Sequence, residues 1–368
     1  MSIAARNIIR LLVASAAMIA AAALLTFTVD PLQLFRPARL FPAMYSPDTR
    51  MQNAGLVRSQ PFDTVFMGTS LAIHFRQSDI DRSLGVHSLK LAMTGSNSRE
   101  QSFVLDAALR RQPKRVIWQI DDWVFRNAPE IDANIHLPAN LYRRNAAGLA
   151  EYLLSGAMAR ESLWLALRSI PPLTPLVARA TNGLMFKFPI SDVDDINALR
   201  RDTDIGAAYN KAKAVAEFNS ITAPSRRHSL SEGYDLATMI GGFERDAIGL
   251  VTKYPDVQFD IYFPPYSILQ FVAMRDAAPG MLKITHDFSA YAFDRLLRLP
   301  NVRLYDFRAV KEITHDLDNY FDVIHHSPAV DLKILSWIAE GKYRVNARAP
   351  LASLQQLEAQ VEAYRLEP

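Results

Sequence analysis

The 368-residue chain has no cysteine. Disulfides, thiolate zinc sites and cysteine nucleophiles are therefore excluded. An excess of one charge is also lacking. Lysine and arginine total 41 against 38 acidic residues, a formal net charge of +3. The pairs Arg110-Arg111, Arg143-Arg144, Arg200-Arg201 and Arg226-Arg227 are scattered among acids, with no aromatic-interleaved basic stripe. A nucleic-acid partner is not expected from this pattern. Glycine (14) and proline (21) are modest and charged residues make up 21%, which argues against wholesale disorder. With 49% hydrophobic residues, the chain can bury one large core or two smaller ones.

Long apolar runs are confined to one place. Leu11 to Val29 carries no charge over 19 residues, with Arg6 and Arg10 before it and Asp30-Pro31 after it. As a helix it would span about 28 Å, close to the ~30 Å hydrocarbon thickness of a bilayer. The preceding arginines would stay on the cytoplasmic side, leaving the rest of the chain outside. A cleaved signal peptide is the competing reading. Its apolar core is shorter and ends in small residues, whereas "LLTFTVDP" is bulky. An uncleaved anchor over residues 1–29 is expected. Residues 30–60 are Pro-rich with spaced aromatics and predict an irregular connector against the domain or the membrane surface.

Five short β-branched or aromatic segments predict buried strands: "DTVFM" (63–67), "VHSLKLA" (86–92), "RVIWQI" (115–120), "VQFDIYF" (257–263) and "VRLY" (302–305). Helical patterns lie between them, in "SDIDRSL", "SREQSFVLDAALRRQ", "ATMIGGFERDAIGLVTKY" and "ITHDFSAYAFDRLLRL", and "AVDLKILSWIAEGKY" follows the last strand. The alternation predicts an α/β fold: a three-layer sandwich whose five-stranded parallel sheet has the order 2-1-3-4-5. This domain is expected over 61–345. A helical insertion over about 127–225 breaks the rhythm at the carboxyl end of strand three, the edge that also carries Ser70. Its arginines, Arg143 and Arg144 among them, are candidates for facing an anionic polymer, while the Leu153–Leu167 apolar face is expected to pack down. Residues 346–368 predict a C-terminal helix with Leu354, Leu357, Val361 and Tyr364 on one face, for core docking or, less often, self-association.

Ligands of open parallel sheets bind beyond the carboxyl ends of the strands, where strand order reverses. Strand one ends in Met67-Gly68-Thr69-Ser70-Leu71. A serine there can act as a nucleophile, although Gly-x-Ser alone is usually a turn with a helix cap. Strand two ends in Met93-Thr94-Gly95-Ser96-Asn97-Ser98. Gly95 permits close backbone approach and offers an N–H to an oxyanion. Asn97 is either a helix cap or an oxyanion donor. Asp121 and Asp122 close strand three and are candidates for substrate binding, although Asp121 either binds a substrate hydroxyl or caps a helix. Tyr266, in "FPPYSIL" after strand four, is either a substrate wall or part of a turn.

After strand five comes "NYFDVIHHSPAV". His325 can take a proton from Ser70, and Asp322, three residues earlier, can orient the imidazole. The doubled histidine leaves His326 as a neighbour that borders the acceptor groove or packs on the sheet. A metal site from Asp322, His325 and His326, with His286 or His315, is the alternative. Adjacent histidines in an extended segment diverge, which disfavours it.

The order of Gly-x-Ser, a glycine after strand two and a late Asp-x-x-His resembles the SGNH/GDSL hydrolase superfamily. "VFMGTSLA", "LAMTGSNSREQ" and "YFDVIHHSP" are most similar to its membrane-anchored bacterial branch, which includes alginate O-acetylation proteins and the D-alanyl transfer protein of teichoic acids. The resemblance covers about residues 61–340. It implies Ser70 as nucleophile, Asp322 and His325 as the other triad members, and Ser70, Gly95 and Asn97 as oxyanion donors. Thr69 stands where the family has Asp, and "QIDD" stands where it has Gly-x-Asn-Asp.

The resemblance further implies an extracytoplasmic O-acyl transferase or esterase, with acetyl as the acyl group. It acts on a polysaccharide or oligosaccharide acceptor from the outer side of a bacterial inner membrane, without a cofactor. A multispanning membrane acyltransferase is the implied acyl-supplying partner. Two other readings compete with this one. A non-catalytic scaffold or carbohydrate-binding component is suggested by the two departures. A lipid or small-ester esterase is suggested by the apolar insertion.

Overall fold

In the computed structural model, five short runs of apolar residues pair as one all-parallel sheet in the order β2-β1-β3-β4-β5. The strands are β1 (Thr64–Met67), β2 (Ser88–Lys90), β3 (Arg115–Gln119), β4 (Gln258–Phe263) and β5 (Val302–Asp306). The structure describes residues 2–126, 137–143, 145–175, 190–196, 208–226 and 230–366.

The sheet buries nearly everything it carries. Val65, Phe66, Val116, Ile117, Trp118, Phe259, Ile261 and Phe263 are all inaccessible to solvent or nearly so. Side chains alternate across a strand, so a continuous apolar run means that both faces are covered. Register is regular, with Val65 beside Leu89 on one side and Val116 on the other. β2 is shorter than its apolar stretch. The extended backbone nevertheless continues past it, since Leu91 N–H donates to Phe66 O at 2.8 Å and Met93 N–H to Gly68 O at 3.0 Å. Because β1 lies between β2 and β3, the chain leaves it in opposite directions. The crevice therefore opens beyond the carboxyl ends of β1 and β3.

The expected helices are present at Gln77–Leu84, Ser98–Leu109, Pro279–Leu297, Pro328–Glu340 and Ala352–Ala363. "ATMIGGFERDAIGLVTKY" forms a helix from Leu236 to Lys253 with a π-helical turn at Glu244–Ile248. Leu354, Leu357 and Val361 are buried, so the C-terminal helix docks on the core. A further helix, Ile268–Ala277, follows Ser267 directly.

The chain divides into two units, residues 1–61 with 137–196, and 62–136 with 197–368. The second holds the sheet, together with the helix Lys211–Thr222 from the interval between β3 and β4. In the first, Ile3–Val29 is the one helix among the described residues that is long and apolar enough to cross a membrane. Helices Ala146–Leu153 and Gly156–Arg168 pack against it. Arg143 is exposed, and Arg144 lies outside the described residues.

The irregular connector expected over 30–60 is corrected in its second half. Thr49–Ser59 is a helix, opened by Asp48, whose carboxylate accepts from Met51 N–H at 3.3 Å. The prolines at 31, 37, 42 and 47 dominate the composition of this stretch, yet all precede the cap. A capped helix can begin immediately after such a run.

Candidate functional site

The site begins at Gly68. A Cβ there would lie 2.6 Å from the Ala72 Cβ and 2.9 Å from the Gln119 Cβ, so only glycine lets the chain turn this close to β3. Thr69 follows in extended conformation, and Ser70 opens the single helical turn Ser70–Ile73. The turn is held from β2. The buried Lys90 ammonium donates to Ile73 O at 3.0 Å and Phe75 O at 2.7 Å, satisfying carbonyls that end the helix. Ser70 is thus presented half-buried at the carboxyl edge of β1.

The loop after β5 meets it. Ser70 Oγ lies 2.8 Å from His325 Nε2. His325 Nδ1 lies 2.6 Å from Asp322 Oδ2. The other Asp322 oxygen accepts from Ile324 N–H at 2.8 Å and His325 N–H at 2.7 Å. One carboxylate therefore folds the loop and orients the ring. Burial pushes the Asp322 carboxyl up, but the hydrogen bonds and charge of His325 outweigh it and hold the group below its ordinary value. An ionised Asp322 draws the imidazole proton to Nδ1, which leaves Nε2 as the acceptor facing Ser70.

The loop is pinned to the end of β4. Ser267 N–H donates to Val323 O at 3.1 Å, and Tyr320 OH to Pro265 O at 2.7 Å. Phe321 N–H donates to His325 O at 2.9 Å, which closes the turn on itself. The sequence alternatives for "FPPYSIL" resolve here in favour of a structural turn.

Gly95 has φ +60, a left-handed conformation that glycine adopts without strain, and a Cβ there would meet no atom within 4 Å. Neither the Ser70 nor the Gly95 N–H finds a hydrogen-bond acceptor among the described residues. Asn97 is a helix cap. Its Oδ1 accepts from Glu100 N–H at 2.9 Å, and Glu100 returns a bond to Asn97 N–H at 3.2 Å. The expected oxyanion role for Asn97 is corrected accordingly, since the capping box fixes its side chain.

No protein-family model matches the chain, and no curated protein matches it.

Three more sequence expectations are corrected by burial. Asp121 and Tyr266, expected to border substrate, lie beneath the site and bond to each other. Asp121 Oδ2 also accepts from Thr69 Oγ1 at 2.7 Å and Gln119 Nε2 at 2.8 Å. Thr69 is therefore a tie between β1 and β3, immediately before the serine. Asp122 points elsewhere, accepting from Thr285 Oγ1 at 3.0 Å in the core. Burial pushes its carboxyl up, with the Arg308 charge opposing.

His326 is buried, 3.1 Å from an Asp331 oxygen and edge-on to Phe75. It borders no groove. The two histidines serve different partners, and no group of three potential metal ligands converges among the described residues. His326→Phe is expected to lower stability by about 1–3 kcal/mol, because a buried polar contact to Asp331 is lost. Turnover per folded molecule should be nearly unchanged. Active-site titration alongside thermal unfolding checks this, and a folded but inactive variant would assign His326 to the chemistry.

His74 is a further buried histidine near the serine. It follows Ser70 by four residues, one helical turn, and its buried ring centroid lies 6.3 Å from that of His325. The one-turn spacing from the serine was the available signal.

Proposed function

We propose that the chain is a serine-dependent O-acyl transferase or esterase of the SGNH type, built on a three-layer sandwich. The observation that carries this reading is the continuous contact from Ser70 Oγ to His325 Nε2, at 2.8 Å, and from His325 Nδ1 to Asp322 Oδ2, at 2.6 Å. In this reading His325 takes the Ser70 proton as Oγ adds to the acyl carbonyl. The Ser70 and Gly95 N–H groups stabilise the resulting oxyanion. His325 then protonates the leaving oxygen, and an acyl-serine remains. An acceptor hydroxyl, or water, then adds to the acyl carbonyl as His325 takes its proton. The bond to Ser70 Oγ breaks as His325 returns that proton to Oγ, which frees the serine and the new ester or acid.

The residues around Ser70 call for no cofactor. The order of motifs favours an acetyl group and a polysaccharide acceptor. The apolar helix Ile3–Val29, with Arg6 and Arg10 at its start, favours a single-pass anchor in a bacterial inner membrane with the α/β unit outside. A multispanning membrane acyltransferase would then supply the acyl group.

The test is a chromogenic acetyl ester offered to the purified protein with and without oligosaccharide, alongside labelling by a serine-reactive phosphonate. Acceptor acetylation supports transfer, hydrolysis alone supports the esterase, and preference for long-chain esters supports a lipid substrate. A folded protein that neither turns over the ester nor labels at Ser70 would sink the catalytic reading. A scaffold role is the second reading, suggested by Thr69 and "QIDD" standing where the resembled family has Asp and Gly-x-Asn-Asp. Full complementation by Ser70→Ala would establish that alternative.

A further inference from the structure

The helix Gly156–Arg168 presents a mixed outer face. It buries Met158, Glu161 and Ser162, while Leu163 is 47% exposed beside the exposed Arg160 and Arg168. Leu154 just before it and Ile170 just after it are 61% and 45% exposed. Isolated exposed leucines are ordinary. An outward set of Leu154, Leu163 and Ile170 bordered by the exposed Arg160 and Arg168 is a mixed face that fits the boundary of hydrocarbon and headgroups.

The position of this helix says which surrounding. It packs with Ala146–Leu153 against Ile3–Val29, where the buried residues are Thr26 and Val29. Those residues lie in the last turn of the apolar helix. At ~1.5 Å per residue, a helix packed on the last two turns sits within about 10 Å of the end of the apolar run. That is the depth of an interfacial helix, roughly 5–10 Å into the headgroup boundary.

The chemistry at this end is that of a membrane interface. Phe27 packs on Phe35 with ring centroids 4.9 Å apart, and the Arg36 guanidinium lies 4.9 Å from the Phe27 centroid. Arg36 also donates to Phe27 O at 2.7 Å and Thr28 O at 2.9 Å, capping the helix end. Tyr152 OH reaches an Asp30 oxygen at 3.0 Å. Arg160, outward on the second helix, pairs with Glu161 at 2.9 Å. Aromatic rings and arginines collect where hydrocarbon meets headgroups.

We infer that the helix pair Ala146–Leu153 and Gly156–Arg168 docks on the bilayer interface beside the anchor, with Leu154, Leu163 and Ile170 inserted in lipid. The inference rests on one part of the proposed function, that Ile3–Val29 crosses a bilayer. It is independent of the Ser70 chemistry.

The absence of native cysteine makes the test direct, since any introduced cysteine is the sole labelling site. Full-length variants Leu154→Cys, Leu163→Cys and Ile170→Cys would be spin-labelled and reconstituted in phosphatidylcholine–phosphatidylglycerol vesicles. Collision with oxygen, which concentrates in lipid, is compared with collision with a water-soluble nickel chelate. Ala17→Cys serves as the label within the anchor, and Arg82→Cys as the aqueous reference. The expected oxygen-to-nickel ratio at all three leucine and isoleucine positions is several-fold above that at Arg82 and approaches that at Ala17. A lipid-exposed Ala17 label with water-like ratios at the three positions overturns the docking and leaves the anchor standing. Labels shielded from both reagents would mean a protein partner or second copy covers the face, and also overturn it. A water-like ratio at Ala17 itself overturns the anchor and the docking together.

Discussion

On the proposed esterase reading, Ser70→Ala is expected to lower kcat/KM for a small acetyl ester by about 10⁴–10⁶-fold, and His325→Ala by about as much, because members of a Ser-His-Asp triad act as a unit. The double variant should be no worse than either single one. The geometry gives the reason. Among the described residues, the base that Ser70 Oγ contacts is His325 Nε2 at 2.8 Å, and without it the hydroxyl must lose its proton to water. Without Ser70, the histidine has nothing to activate except water itself. Asp322→Asn should cost about 10⁴-fold, since an amide in that place favours the wrong imidazole tautomer. The loop should loosen only modestly in that variant, because an Asn Oδ1 can still accept from Ile324 and His325 N–H as the carboxylate does. Steady-state kinetics with active-site titration decides the matter. If His325→Ala retained activity while His326→Phe abolished it, the base would be the other histidine. If Ser70→Ala kept full esterase activity, the nucleophile would lie elsewhere.

Much of this architecture was legible in the chain. Apolar runs such as "RVIWQI" and "VQFDIYF" are too short for helices and too continuous for one-sided strands, so a parallel sheet covered on both faces follows. The strand order 2-1-3-4-5 is the flavodoxin-like order expected of a doubly wound parallel sheet of five strands, and the sheet has it. The spacing of Asp322 and His325 was legible because one carboxylate can bond both the loop backbone and the ring only at short separation. What stayed hidden depends on facing and burial. Asp121 and Tyr266 were visible as polar residues at strand ends. Nothing in the chain says that they turn beneath the site toward each other. Asn97 had two roles open, and the reciprocal bond with Glu100 selected one. The helix Ile268–Ala277 was masked by Pro264-Pro265, although proline before a helix start is permissive. In Gly156–Arg168 the apolar content was plain, whereas the outward facing of Leu163 required the structure.

Asp121→Ala is expected to be the most destabilising single change at the site, by about 3–5 kcal/mol, because it removes the shared acceptor of a buried network. Tyr266 OH, Thr69 Oγ1 and Gln119 Nε2 all donate to this carboxylate, and all four residues are buried. Tyr266 OH and Thr69 Oγ1 would lose this acceptor in a buried place, and Gln119 Nε2 would keep only its longer bond to Thr69 Oγ1, at 3.3 Å. The wild-type carboxylate carries a cost as well. Burial pushes its pKa from 3.8 up to about 6, against the hydrogen bonds from Tyr266, Thr69 and Gln119 and with the Asp122 charge adding to the rise. The folded state therefore holds the proton more tightly than the unfolded chain. The contribution of Asp121 to stability is greatest below about pH 4, falls as pH rises through about 6, and is flat above that. Asp121→Asn cannot titrate. The stability of wild type minus that of Asp121→Asn should thus decline between pH 4 and 6 and level off at neutral pH, as followed by denaturant unfolding of the detergent-solubilised chain. Parallel curves for the two proteins across that window would show that Asp121 does not carry the shift. Because Thr69 sits between Asp121 and Ser70, Asp121→Asn should also slow phosphonate labelling of Ser70 in the folded protein, a readout that loss of stability alone would leave unchanged.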